Sequence, residues 1–129
     1  YVSEHRINVP SPGEIMNYLL PVVLALLLAG GEPLSEPATG TLHTVRMVDK
    51  STAEWRFEPS ELTVAPGDTV RWVQDDIAPH NVEFRTTPSG SDLADAAFGP
   101  FLLQKGATYE LVIDSRFTTG TYLYVCTPH

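Results

Sequence analysis

Residues 57–84 read FEPSELTVAPGDTVRWVQDDIAPHNVEF, and their punctuation decides the fold class. Two short β-type runs, ELTV (61–64) and TVRWVQ (69–74), flank the turn APGD (65–68). Proline and glycine there supply the fixed and the permissive backbone angles that a tight turn needs. In TVRWVQ, Val70, Trp72 and Gln74 share one face and Thr69, Arg71 and Val73 the other, the period of a strand and not of a helix. After DDIAP (75–79) a further short run, HNVEF (80–84), is expected to be a strand.

Working outward, the same texture holds on both sides. HTVRMV (43–48) precedes the stretch, and YELVI (109–113) and TYLYVC (121–126) follow it. The last run puts Tyr122, Tyr124 and Cys126 on one face and Leu123 and Val125 on the other. Between them SDLADAAF (91–98) is expected to form a short helix with Ser91 as its N-cap. About seven short strands at this spacing predict an all-β, Greek-key sandwich over residues 43–129.

Hydrophobic residues make up 43% and charged residues 19% of the 129, a folded domain's balance. The net charge of −8 comes with no basic stripe, which argues against nucleic acid and for basic partners. A single cysteine excludes an intrachain disulfide.

That cysteine lies in YVCTPH (124–129), where Cys126 and His129 flank a Thr-Pro turn. Taken alone, C-x-x-H is a weak metal signal, and a buried cysteine is as readily a small hydrophobe. His80, directly after Pro79, is the third candidate, against the plainer reading of a loop histidine at a strand end. Two imidazoles and one thiolate are the trigonal donor set of a blue-copper centre. Thiolate stabilises Cu(I) and mixes with Cu(II), and imidazole serves both states. Pro79 and Pro128 restrict the backbone just before each histidine.

Residues 57–84, followed by GTYLYVCTPH (120–129), resemble the cupredoxins, most closely those that are plastocyanin-like. The resemblance covers residues 43–129. It implies one type 1 copper with His80, Cys126 and His129 as equatorial ligands. It also implies that Asn81 hydrogen-bonds across to the Cys126 loop at Thr127, pinning the two ligand loops together. Trp72 and Phe84 read as core, and Tyr122 as a strand-end tyrosine whose hydroxyl needs a partner.

The departure from the family pattern is at the end. An axial methionine and a closing strand normally follow the second histidine. Met16 and Met47 are the only methionines, and neither stands in that place. Without that strand a sheet edge would be left unpaired. The expectation is that the chain continues past His129. A strand donated by a partner and a degenerate, copper-free domain are the alternatives.

Before the domain, residues 1–14 are polar with no clear period, and residues 32–42 are a Pro/Gly/Ser/Thr linker. Between them IMNYLLPVVLALLLAGG (15–31) carries no charge and would reach ~25 Å as a helix, against a ~30 Å bilayer core. It is read as a membrane-anchor helix, with a signal-peptide core and a buried soluble helix as alternatives. The slight charge asymmetry puts the domain on the outer side, in the periplasm or an equivalent extracytoplasmic space.

The expected function is a membrane-anchored type 1 copper protein. It would pass single electrons to redox protein partners, such as a membrane-bound respiratory or photosynthetic complex, through the edge of His129. Multicopper enzymes need more histidines than His5, His43, His80 and His129, so no enzyme is expected. The alternatives are a copper-free, cupredoxin-like structural subunit of such a complex and, behind it, copper storage or delivery.

Overall fold

The computed structural model describes residues 4–14, 40–51 and 54–128. Eight strands follow in chain order: β1 (His5–Val9), β2 (Leu42–Ser51), β3 (Glu54–Glu58), β4 (Glu61–Thr63), β5 (Thr69–Gln74), β6 (Glu83–Thr86), β7 (Thr108–Val112) and β8 (Gly120–Val125). They form two four-stranded sheets, ordered β4-β1-β8-β6 and β3-β2-β5-β7. Each sheet contains one parallel pair, β1 with β4 and β2 with β5. The all-β sandwich expected from residues 43–129 is the fold observed.

The core lies between the two sheets, with an aromatic cluster around Trp72 set among aliphatic side chains. Val70, Trp72 and Gln74 turn inward from β5, while their neighbours are only half-buried. Trp72 is fully buried, stacked on Tyr109 at 5.6 Å and edge-on to Tyr124 at 5.7 Å. Phe84 meets the edge of Trp72 at 6.3 Å. Such offset and T-shaped pairs add roughly 0.5–1.5 kcal/mol each beyond area burial. The Tyr122 hydroxyl donates to the Thr118 carbonyl, accepts from the Thr118 amide, and lies 2.8 Å from Ser91 Oγ.

The turn before β5 is held by Asp68. Its carboxylate accepts from the amides of Ala65 and Thr41 and sits 2.8 Å from His43 Nε2. Burial opposes the charge, but these bonds hold the carboxyl below its ordinary range. Gly67 supplies the left-handed backbone of the turn, at φ 95°.

Three features differ from the sequence reading. The polar segment 1–14 contributes a strand to the sandwich. β1 runs antiparallel to β8, with His5 opposite Tyr124 and Val9 opposite Gly120. β8 therefore has β1 on one side and β6 on the other, and the edge expected to be bare is paired. The inward residues of β1 are His5, Ile7 and Val9. Counting His5 as polar hides that alternation, since its ring is buried against Phe57 at 4.7 Å. Second, residues 91–98 form a turn and not a helix. Ser91 is engaged by Tyr122 and Thr118, and the Asp92 amide donates to the Arg116 carbonyl, so the first-turn groups bond outward. Third, the strand expected over 80–84 starts at Glu83, and β3 is an additional strand. The stretch 15–31, read as an anchor, lies outside the described residues. Among those described, no helix is long and apolar enough to cross a membrane.

The buried His5 ring makes β1 pH-sensitive. Burial lowers its pKa to about 4 from 6.5, partly offset by a backbone bond at Ser60. Between those values the unfolded chain binds the extra proton, so stability is complete above about pH 6.5 and falls towards pH 4. The ring is 2% exposed, so solvent screening removes little, and roughly 3 kcal/mol is at stake. Urea unfolding at pH 7 and pH 4.5 should show a larger loss for the wild type than for His5→Phe. Equal losses would show that the ring is not held neutral in the fold.

Candidate metal centre

Cys126 and His80 meet because of how two loops are held. β8 runs along β6 with Val125 opposite Glu83, which delivers Cys126 to the residues just before β6. His80 sits there in an isolated bridge. Its amide donates to the Leu102 carbonyl at 3.2 Å, and the Leu102 amide returns to the His80 carbonyl at 2.7 Å.

The loop leading into His80 is closed by Gln74, the last inward residue of β5. Gln74 Nε2 donates to the Ala78 carbonyl at 2.7 Å, and its Oε1 accepts from the Asp76 amide at 2.6 Å. A fully buried glutamine is costly unless bonded, and here both ends of its amide are used. Asp75 is tied to β2 by Arg46 and to the connection before β7 by Lys105. Those two cations hold its carboxyl below the ordinary range.

His80 Nδ1 and Cys126 Sγ are 3.5 Å apart, and both side chains are buried. Two donors bound to one small metal ion, nitrogen at ~2.0 Å and sulfur at ~2.3 Å, stand ~3.5 Å apart at a tetrahedral angle. The pair therefore fits a shared metal without rearrangement. Burial pushes the Cys126 thiol up to about 11; the Asn81 amide at 3.4 Å counters this in part, and the charge of Asp49 adds to it. Among the described residues no cation favours the thiolate, so the sulfur keeps its proton until a metal ion displaces it.

Asn81 is fully buried between the two loops. Its Oδ1 accepts from Thr127 twice, from the amide at 2.9 Å and from Oγ1 at 2.8 Å. Its own amide points at Cys126 Sγ. One residue thus ties the His80 loop to the residues on either side of the sulfur–turn junction. His129, the remaining ligand named from the sequence, lies outside the described residues. Among those described, no group of three or more metal-binding side chains gathers. Met47 is a buried core residue of β2.

Sequence reasoning missed Asp49. It lies on β2 with Oδ1 3.3 Å from His80 Nε2, the ring nitrogen turned away from Cys126. Its amide donates to Asp76 in the Gln74-closed loop. No spacing links it to His80 in the sequence. The parallel register of β2 and β5, with Met47 opposite Gln74, brings the two together.

The comparisons with known proteins bear on this geometry. The profile of the family described as copper binding proteins, plastocyanin/azurin family, matches residues 43–129. A plastocyanin of Synechococcus sp. (strain JA-2-3B'a(2-13)) is 36% identical over 118 residues, covering 85% of this chain and 83% of that one. Amicyanin-alpha of Methylorubrum extorquens is 29% identical over 113 residues, covering 84% and 89%. Among solved structures, a purple cupredoxin from Nitrosopumilus maritimus superimposes with a TM-score of 0.50 at 25% identity, over 67% of this chain and 88% of that one. The family profile covers the chain from β2 to β8, with His80 and Cys126 inside it. The chain belongs to the copper-binding plastocyanin/azurin family, the cupredoxins, and its cofactor is a single type 1 copper.

Proposed function

We propose that this cupredoxin carries single electrons through one copper held by His80, Cys126 and His129. The observation that carries the reading is the buried Nδ1–Sγ pair at 3.5 Å, already at the separation of two ligands on one ion. Bound copper supplies the one-electron chemistry, cycling between Cu(I) and Cu(II). The protein's contribution is rigidity. The Leu102 bridge and the Gln74 loop fix His80, and Asn81 fixes the Cys126 turn against it. A donor set that does not move on oxidation keeps the rearrangement cost of electron transfer low.

Redox proteins are the partners in this reading. Ile77, three residues before His80, is 90% exposed, and Leu103, next to the residue that bridges His80, is also exposed. Exposed apolar side chains beside the site suit a transient protein contact, and the net charge of −8 steers basic partners towards it. The expected anchor at residues 15–31 forms no part of this reading: β1 before it pairs with β4 and β8 after it, and a single crossing would put those paired strands on opposite faces of a membrane.

Voltammetry on the copper-loaded intact chain tests the proposal. A reversible one-electron wave at one copper per chain is expected. Bound copper with no reversible couple would overturn it.

A further inference from the structure

Asp49 stands behind the ring of His80, and its position has a consequence for the copper. His80 is 2% exposed, with Nδ1 facing Cys126 Sγ at 3.5 Å and Nε2 facing Asp49 Oδ1 at 3.3 Å. Nε2 and Asp49 Oδ1 are both shut off from solvent, and their contact is an ion-pair approach, not an aligned hydrogen bond. A neutral imidazole carries one ring proton, and a carboxylate oxygen accepts but cannot donate. The proton is therefore favoured on Nε2, which leaves the lone pair of Nδ1 aimed at the sulfur.

We infer that Asp49 is a positioning residue for copper in this chain: its carboxylate fixes the ring and tautomer of His80 and biases the site towards Cu(II). The inference rests on the reading of His80 as a ligand. Two further contacts support it. The Asp49 amide donates to Asp76 Oδ2 at 3.1 Å, and the Asp76 amide donates to Gln74 at 2.6 Å. The backbone of Asp49 is thus anchored to the same closed loop that carries His80, which fixes where its side chain departs. A fixed negative charge beside His80 favours the more positive oxidation state, in a dry site where the field is poorly screened.

Two variants and two measurements test this. In the intact chain without metal, ring-nitrogen NMR shifts of His80 should report the Nε2–H tautomer. In Asp49→Leu, which removes the acceptor, that tautomer should lose its dominance. In the copper-loaded chain, Asp49→Asn keeps the shape and removes the charge. The ratio of Cu(II) to Cu(I) affinity should fall about tenfold, the lower end for loss of a partner behind a ligand histidine. For a one-electron couple that raises the potential by ~59 mV. Asp49→Glu should restore the potential most of the way. A wild-type proton on Nδ1, or a potential unmoved by Asp49→Asn with copper bound, would overturn the inference. If the chain takes up no copper, the functional reading fails, and the tautomer measurement still decides whether Asp49 orients His80.

Discussion

Cys126→Ala should abolish the intense visible absorption of the copper-loaded protein and weaken copper binding by at least about 100-fold, with the fold retained. The absorption depends on thiolate mixing with Cu(II), and Cys126 is the chain's only sulfur of that kind. A histidine site that has lost its thiolate holds copper as an ordinary, weakly coloured ion. Removing one buried sulfur costs the fold on the order of 1 kcal/mol. Folding and colour therefore separate. Copper titration followed by absorption, with thermal unfolding of the metal-free variant alongside, makes the measurement. Retained colour in Cys126→Ala would place the copper somewhere else.

The second large effect concerns β1. Ile7 is fully buried in the core that β1 closes against β8. Ile7→Ala should destabilise the domain by about 2–4 kcal/mol, the loss of a buried branched side chain plus the cavity it leaves. Much of a small domain's stability is of that size. Were residues 1–14 a polar segment outside the sandwich, the same change would cost nothing measurable. Denaturant unfolding of the two chains at pH 7 distinguishes these, and a loss below about 0.5 kcal/mol would mean that β1 does not hold the β8 edge.

β5 and β8 were legible because their alternation is undiluted and their starts are marked, by Ala65-Pro66-Gly67-Asp68 before one and by Gly120 as the first residue of the other. β1 was not, because its inward set begins with a histidine. Whether His5 counts as core depends on Phe57 and Tyr124, which only the fold brings to it. The expected helix over 91–98 failed for a related reason. Ser91 has an N-cap's chemistry, but the hydroxyl of Tyr122 and the side chain of Thr118 take it, and both come from far along the chain. Local propensity loses where a tertiary partner claims the same group.

In the site the same division holds. Cys126, His80 and the Asn81–Thr127 pair stand in short motifs, so their residue types could be read in place. Asp49 sits in no motif. It reaches His80 through strand pairing, a contact written in the register of β2 on β5 and not in any spacing.

X-ray absorption on the copper-loaded intact chain shows whether His80 and Cys126 hold one copper. The copper should be bound by one sulfur together with imidazole nitrogens, and that sulfur should be lost in Cys126→Ala. Nitrogen and oxygen alone around the copper in the wild type would contradict this assignment.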